Sequence, residues 1–212
     1  MKILRIKAMM YAFVKRLIDI AVALIGLFVL WPVFIVISVL VKLGSDGPVF
    51  FVQNRLGKKR KPFSMYKFRT MVKDAEHLKA GLAELNEADG PVFKIEDDPR
   101  LTKVGKFLRK TNLDELPQLI NVLVGNMSFV GPRPALPQEV DRYDKRWYQN
   151  RFEVTPGMVS LYHLRNVEGV HKNFDRWMRW DSYYVRHRST LLDLYVLASA
   201  ARRFIFRFFP QQ

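Results

Sequence analysis

Two adjacent carboxylates, Asp114 and Glu115, have the strongest chemical character in this sequence. They lie in the run 111–119 (TNLDELPQL), where Asn112 and Glu115 have the spacing of a capping box and Pro117 is acceptable only near a helix start. This pattern predicts a helix whose first turn carries both acids, and the positive end of the helix dipole would keep them ionised. The two are either ordinary helix-start acids or a nucleophile and a ligand for Mg²⁺, which proteins bind through few carboxylates plus substrate phosphates.

Several cations could bind phosphate oxygens near such a pair. Arg133 stands between Pro132 and Pro134, which restrict its backbone, and its planar guanidinium suits a phosphate better than a lysine does. The alternative is a rigid turn with an exposed arginine. Strand alternation places Lys67 and Arg69 on one face of a predicted strand, where they meet a phosphate or form the solvated side of an edge strand.

Composition narrows the classes of partner. The 212 residues carry a formal net charge of +15, so the surface favours anionic partners such as lipid headgroups, phosphorylated substrates or nucleic acid. The absence of cysteine excludes a disulfide framework, thiolate metal sites and a cysteine nucleophile. Because an apolar segment is also present, we expect membrane lipids and phosphate, and no nucleic acid, as partners.

The element that positions this chemistry is the apolar stretch 17–41, with Pro32 near its middle and Asp19 as its one ionisable residue. It exceeds the ~20 residues that cross a bilayer as a helix. Proline should break the helix at Pro32, and even the longer part before it, about 22 Å long, is too short to span alone. Cationic flanks place both ends on the cytoplasmic face. We therefore predict a re-entrant helix–break–helix over 17–42, with a kinked spanning helix or a buried core helix as alternatives. A pair between Asp19 and Lys15 or Arg16 would ease its burial.

The predicted fold is α+β: a mostly helical single domain (43–212) with a small β-hairpin, anchored by the re-entrant segment. Residues 1–16 are basic and apolar, which is typical of an interfacial helix. The runs 48–53 and 63–68 around GKKRKP predict the hairpin. Helices are expected from 73 to near 90, over 101–110, from the acidic pair at 114–115 to 124, and over 190–206. Aromatic and basic residues alternate after Glu139, which suits a membrane-interface belt better than base stacking.

These pieces together resemble the bacterial sugar transferases, which are monotopic polyprenol-phosphate phosphoglycosyl transferases. The resemblance covers almost the whole chain from Lys15 to about Leu197, and several motifs in the same order make it specific. The matching motifs are KRxxD at 15–19, GPVF at 47–50, YKFRTM at 66–71, DPRLT at 98–102, LDELPQ at 113–118 and MSFVGPRP at 127–134.

The resemblance implies transfer of a sugar 1-phosphate from a UDP-sugar to polyprenol (undecaprenyl) phosphate, with release of UMP, as the first membrane step of a surface-glycan pathway. In that reading Asp114 is the nucleophile that forms a covalent phosphosugar intermediate, and Glu115 is the ligand for Mg²⁺. Phosphate contacts would come from Lys67, Arg109 and Arg133, with Arg69 as a further substrate-binding candidate. The expected location is the cytoplasmic face of the bacterial inner membrane, with a broken helix inserted in one leaflet.

One stretch departs from the family pattern. The usual run is close to Arg-Pro-Gly-Ile-Thr-Gly-hydrophobic-x-Gln-Val, whereas this chain has TPGMVSLYHL over 155–164. An arginine, a glycine and the glutamine are replaced, so the preference for nucleotide and sugar does not follow from the resemblance. The family's broken helix often carries Ser-Pro, where this chain has Trp31-Pro32.

Two other functions remain open at this level. A non-catalytic basic membrane adaptor would bind anionic lipid or nucleic acid and lose binding steeply as salt rises. A membrane phosphatase with an aspartyl phosphate would release free phosphate without a lipid acceptor. The sequence specifies neither the sugar, nor the polyprenol, nor the oligomeric state, for which a homodimer is one possibility.

Overall fold

The computed structural model describes residues 2–165 and 173–208. The chain is mostly helical, with two small two-stranded sheets within these ranges. The helices are α1 Lys2–Gly44, α2 Ala75–Leu78, α3 Lys103–Thr111, α4 Gln118–Val124, α5 Pro137–Val140, α6 Leu161–Arg165, α7 Phe174–His187 and α8 Thr190–Phe208. The strands are β1 Phe50–Leu56, β2 Pro62–Phe68, β3 Ser128–Val130 and β4 Gly157–Val159. Short 3₁₀ segments cover Lys58–Arg60, Ala80–Leu85, Leu113–Glu115 and Arg146–Glu153.

The predicted break at Pro32 is wrong, because α1 continues as one helix through that residue. Proline removes one intrahelical hydrogen bond and crowds the preceding turn, but a bend can absorb both effects while the helix persists. Tertiary packing holds the helix on both sides of the proline. A Cβ on Gly26 would lie 3.2 Å from Leu119, and the Phe34 ring lies 5.4 Å from the Phe68 ring.

Most of α1 is apolar on its outer faces. Within the described ranges, α1 is the one helix long and apolar enough to cross a membrane, and only 11% of its most apolar window is buried. The buried positions, Ala23, Ile37 and Val41, lie on the side that packs against the rest of the chain. The outer side leaves large apolar residues such as Phe28 in the open. This helix therefore has one protein-facing side and a wide apolar surface.

The polar residues at the start of the apolar stretch do not pair with one another as predicted. Asp19 is buried and accepts hydrogen bonds from Ser128 Oγ (3.0 Å) and the Phe129 N–H (3.1 Å), at the edge of β3. Lys15 binds Asp193 of α8 at 2.8 Å instead. A distant strand satisfies this carboxylate, and helical spacing alone carries no information about such a partner.

Arg16 also serves tertiary packing rather than a pair with Asp19. Its guanidinium donates to the carbonyl oxygens of Val122 (2.6 Å) and Leu123 (2.7 Å). These carbonyls belong to the last turn of α4, which ends at Gly125 in the left-handed region (φ 89°). Helix C-terminal carbonyls lack intrahelical partners and favour cations. The start of α1 is therefore joined to α4.

The predicted hairpin is confirmed. Strands β1 and β2 pair antiparallel with Phe50 opposite Phe68 and Leu56 opposite Pro62. Met65 and Phe68 turn their side chains inward, to cores shared with α1, α3 and α4. The hairpin thus packs against α1, α3 and α4 through these two side chains.

The short helices follow local signals to different extents. α3 lies close to the predicted 101–110, and α8 begins at the predicted Thr190. α4 ends at Val124 as predicted but begins only at Gln118, after the two acids that were expected in its first turn. The helix expected from 73 onward is replaced by one α-helical turn (75–78) and the 3₁₀ segment 80–85. Thr102 caps α3 by accepting from the Gly105 N–H at 2.9 Å, and Asp98 accepts from Arg100 at 2.6 Å.

The second sheet brings two loops together. β3 and β4 pair in parallel, with Ser128 opposite Gly157 and Val130 opposite Val159. The carboxyl ends of parallel strands lie at the same edge, so the chain after each strand emerges side by side. A Cβ on Gly157 would lie 2.0 Å from the Gly131 nitrogen, so only glycine permits this close approach.

Candidate active site

The acidic pair lies in a tight turn between two helices. α3 ends at Asn112 in the left-handed conformation (φ 56°), and the 3₁₀ segment Leu113–Glu115 then leads into α4. The predicted capping box is absent, because the Asn112 side chain makes no capping hydrogen bond. Asp114 and Glu115 thus precede α4 rather than forming its first turn.

Apolar neighbours set the position of this turn against α1. Leu113 and Leu116, on either side of the two acids, pack against the core formed by Ile37, Val41 and Phe68. The same core includes Val33 and Phe34, which follow Pro32 directly. The carboxylates are therefore held beside the part of the apolar helix that follows Pro32.

Lys67 joins the two carboxylates. Its Nζ donates to Glu115 Oε1 at 2.7 Å and lies 4.0 Å from Asp114 Oδ2. Asp114 is 6% exposed, whereas the Glu115 side chain is 27% exposed. One lysine from β2 thus neutralises part of the charge of a buried and a half-buried acid.

The environment separates the pKa values of the two acids. Burial raises the pKa of Asp114 to about 6, and the charge of Glu115 adds to that rise against the opposing pull of Lys67 and Arg109. Burial opposes ionisation of Glu115 as well, but Lys67 and Arg133 lower its pKa to about 2. Pairs of titratable groups pushed apart in this way are typical of catalytic sites. Near neutral pH, Glu115 is fully ionised and Asp114 mostly so.

Arg109 and Arg133 each act on one acid of the pair. Arg109 extends from α3, donates through Nε to Thr70 Oγ1 at 3.2 Å, and its charge lowers the pKa of Asp114. Arg133 lies in the loop after β3, and its charge lowers the pKa of Glu115. The structure therefore brings Lys67, Arg109 and Arg133 into electrostatic range of the carboxylates.

Two buried arginines fix the loop that carries Arg133. Arg151 donates to the carbonyl oxygen of Arg133 (2.5 Å), and Arg55 donates to that of Pro134 (2.9 Å). Arg151 is itself paired with buried Asp181 at 2.9 Å. Backbone anchors on consecutive residues leave the Arg133 guanidinium free to bind an anion.

The structure does not bring Arg69 to the carboxylates. β2 ends at Phe68, and the buried Arg69 donates through Nη2 to the Ser45 carbonyl (2.7 Å) and to Ser45 Oγ (3.1 Å), directly after α1. Its contacts are those of a cation at a helix C-terminus. The expectation that Lys67 and Arg69 share one phosphate-binding face is corrected, since the strand pattern on which it rested stops one residue earlier.

Two residues that lie near the site were not predicted from the sequence. Lys94 is half-buried, and burial together with Arg133 and Arg109 lowers its pKa against the pull of Glu96 and Glu87. His163 follows β4, and burial followed by the charge of Arg133 lowers its pKa to about 4. No local motif marks either residue as a site residue, although His163 falls in the stretch that departs from the family pattern.

The carboxylates fit the requirements of Mg²⁺. Mg²⁺ binds through one or two carboxylates with water and substrate phosphates completing its shell, so a full protein cage is not needed. Accordingly, the described residues contain no cluster of three or more His, Asp or Glu that would hold a metal alone. Glu115 is ionised and partly exposed, and it forms an ion pair with Lys67. Glu115, next to Asp114, is the residue that would hold the ion.

Comparisons with known proteins match most of the chain. The sequence profile of a family described as "Bacterial sugar transferase" matches residues 10–207. The galactosyl transferase CpsE of Streptococcus agalactiae serotype III (strain NEM316) is 39% identical over 183 residues, which are 86% of this chain and 40% of the relative. The UDP-N-acetylgalactosamine-undecaprenyl-phosphate N-acetylgalactosaminephosphotransferase of Aeromonas hydrophila is 38% identical over 197 residues, or 91% of this chain and 44% of the relative.

A third relative is similar to this chain in length. The exopolysaccharide production protein ExoY of Sinorhizobium fredii (strain NBRC 101917 / NGR234) is 34% identical over 187 residues, which are 86% of this chain and 81% of the relative. The chain thus spans less than half the length of the first two relatives and about four-fifths of the third.

Proposed function

The chain belongs to the bacterial sugar transferase family, and from this premise we propose that it transfers a sugar 1-phosphate from a UDP-sugar to polyprenol phosphate and releases UMP. The names of relatives support the class of substrate, since the Aeromonas protein is named for a UDP-sugar donor and an undecaprenyl-phosphate acceptor. These names describe transferases and exopolysaccharide production proteins, and they do not support a non-catalytic adaptor. The observation that carries the proposal is the buried Asp114 beside Lys67 and ionised Glu115, next to the apolar part of α1 that follows Pro32.

Asp114 acts as the nucleophile in this proposal. One Oδ attacks the sugar-linked phosphorus, the bond from that phosphorus to the bridging oxygen breaks, and UMP leaves with the bridging oxygen and its electron pair. An oxygen of polyprenol phosphate then attacks the phosphorus of the aspartyl intermediate, which frees the carboxylate and yields the lipid-linked diphosphosugar. Covalent catalysis of this kind divides one difficult displacement into two.

The neighbouring charges support each step. Lys67 keeps Asp114 ionised enough to attack, and Arg109 and Arg133 stabilise negative charge that develops on the transferred phosphoryl group. Glu115 would hold Mg²⁺, which when bound neutralises the diphosphate and favours departure of UMP. Burial of the turn between Leu113 and Leu116 limits access of water to the intermediate.

The way α1 packs supports a monotopic anchor. Before Pro32, Lys15 and Arg16 bind α8 and α4, and after it Gly44 approaches Val104 of α3. The same domain therefore contacts both ends of the apolar helix, whereas a spanning helix would leave the domain at one end. We propose that α1 lies re-entrant in one leaflet, bent at Pro32, on the cytoplasmic face of the bacterial inner membrane.

The nucleophile is tested by Asp114→Asn. The wild type should release UMP from a UDP-sugar in the presence of polyprenol phosphate and Mg²⁺, and should form a covalent phosphosugar adduct on a radiolabelled donor. The amide variant should do neither, because a neutral amide is a poor nucleophile and resembles the carboxylate in size. Full turnover by Asp114→Asn would remove this residue from the mechanism, and release of free phosphate without lipid would indicate a phosphatase.

Topology is tested by labelling, which the absence of native cysteine makes simple. Single cysteines replace exposed Met10 and exposed Asp46, one at each end of the apolar stretch. A membrane-impermeant maleimide should react with both in inverted membrane vesicles and with neither in spheroplasts. Labelling of one site from each side would show that α1 spans the membrane.

A further inference from the structure

His163 lies at the same edge of the second sheet as Arg133. β3 and β4 run parallel, and the Gly131 N–H donates to the Val159 carbonyl at 3.0 Å where the two strands end. Arg133 follows two residues after Gly131, and Ser160 directly precedes α6, which carries His163. The parallel register thus places these two loops next to each other, although they are 30 residues apart in sequence.

Ser160 is the hydrogen-bond partner of the His163 ring at Nδ1. Ser160 Oγ lies 2.5 Å from His163 Nδ1 and also accepts the backbone N–H of His163 at 3.4 Å. A hydroxyl oxygen has two acceptor sites, so the bond to Nδ1 can run in either direction; we assign it as donation by Ser160, which gives the hydroxyl proton an acceptor within the described residues. A neutral imidazole that accepts at Nδ1 carries its proton at Nε2.

The ring is held rigid and neutral. It packs at steep angles (69° and 71°) to the rings of Tyr162 and Trp177, with ring centroids 5.8 and 6.1 Å away. Burial lowers the pKa of His163 to about 4, and Arg133, Lys94 and Lys67 act in the same direction, against the weaker opposite effect of Glu115. The imidazole is therefore a neutral donor among cations that belong to the active site.

We propose that the Nε2–H of His163 donates a hydrogen bond to an uncharged oxygen of the donor substrate, and that His163 is a specificity-determining residue. This inference rests on the UDP-sugar transfer proposed above. Charged phosphate oxygens are best met by Lys67, Arg109 and Arg133, whereas a neutral donor suits a hydroxyl or carbonyl oxygen. Such oxygens occur on the sugar and on the uracil ring. A site built around one hydrogen bond discriminates strongly against a donor substrate that lacks the matching group.

The test compares ratios of kcat/KM rather than activities. Release of the nucleoside monophosphate (UMP from UDP-sugars, CMP from CDP-glucose) is measured for the wild type, His163→Ala, His163→Gln and Ser160→Ala, with full-length protein in detergent. The sugar arm uses UDP-glucose, UDP-galactose and their N-acetylated forms, and the base arm compares UDP-glucose with CDP-glucose. We expect His163→Ala to change the ratio between two donors in one arm by about tenfold or more. His163→Gln, whose amide retains a neutral donor, should change it less than His163→Ala does.

If the ratio of kcat/KM changes in the sugar arm, the oxygen that His163 binds lies on the sugar. If it changes in the base arm, the oxygen lies on the base. A purely structural His163 would instead lower kcat/KM by the same factor for every donor, and this result would overturn the proposal. Equal ratios in the wild type and His163→Ala would overturn it as well.

An NMR measurement separates this proposal from the proposed function. In ¹⁵N-histidine-labelled protein, the His163 ring signal is identified by its absence from His163→Gln. It should show the Nε2–H tautomer at neutral pH, and in Ser160→Ala it should lose its strict tautomer preference. A protonated or Nδ1–H ring would overturn the proposal even in an active enzyme. Absence of UMP release by the wild type with every donor would instead defeat the proposed function, and the specificity role with it.

Discussion

Replacement of Lys67 by methionine should move the pH dependence of the reaction. At 4.0 Å and an effective dielectric constant near 20, a unit charge on Lys67 stabilises ionised Asp114 by about 4 kcal/mol, or about 3 pKa units. Because Arg109 remains, we expect the pKa of Asp114 to rise from about 6 to between roughly 8 and 9 in the variant. At pH 7 the ionised fraction then falls from about nine-tenths to between ~1% and ~10%, so kcat/KM should fall ~10- to 100-fold.

The direction in which activity changes with pH shows whether Asp114 acts as an ionised nucleophile. A nucleophilic carboxylate must be ionised, so activity rises as pH rises through its pKa. The wild type should reach its plateau soon above pH 6, whereas Lys67→Met should continue to gain activity up to about pH 9. The assay is Mg²⁺-dependent UMP release at subsaturating UDP-sugar across this range.

A matched variant keeps the charge. Lys67→Arg retains a cation on the same strand. The acidic limb of its pH–rate profile should therefore stay close to that of the wild type, whatever the substitution does to the absolute rate. A loss in Lys67→Met that is the same at every pH would mean that Lys67 acts on the substrate alone. An unchanged acidic limb in that variant would refute the electrostatic coupling between Lys67 and Asp114.

Three further predictions concern the surroundings of the site. Arg133→Ala should lower kcat by about 10²–10³, the usual effect of losing one electrostatic donor, and unchanged kinetics of UMP release would reduce this arginine to an exposed loop residue. Gly157→Ala should strongly destabilise the protein in thermal unfolding, because its Cβ would lie 2.0 Å from the Gly131 nitrogen; Gly81→Ala, with nothing within 4 Å, is the control and should stay near wild type. Asp193→Asn should lower the free energy of unfolding in detergent by about 3 kcal/mol, because its carboxylate accepts hydrogen bonds from two tyrosines and a lysine, and a change below about 0.5 kcal/mol would show that this network does not hold α1.

Regular local patterns made several elements predictable. The hairpin, α3 and α8 lie close to their predicted positions because alternation, helical spacing and turn residues act over a few neighbouring residues. The helix expected after residue 73 failed for a related reason. Its apolar residues are few, and Leu78 and Leu85 remain exposed, so the segment lacks the buried face that stabilises a helix in a protein.

Such local patterns do not predict which residues pair over long distances in the sequence. Asp19 binds the edge of β3 instead of its helical neighbours, and Arg69 binds the end of α1 instead of the carboxylates. Both residues satisfy polar groups more than 20 positions away along the chain. A continuous α1 likewise depends on packing on both sides of Pro32, which the proline itself does not indicate.

The sequence alone determined the chemical types present at the site: an acidic pair, the lysine and arginines that surround it, and a long apolar helix. Residue identity sets charge, nucleophilicity and hydropathy, so these properties need no coordinates. Only the tertiary structure decided which charges act together, since it separates the pKa values of Asp114 and Glu115. It also placed Lys94 and His163 within range of Arg133. Burial and distance govern electrostatic coupling, and both arise from contacts between segments far apart in the chain.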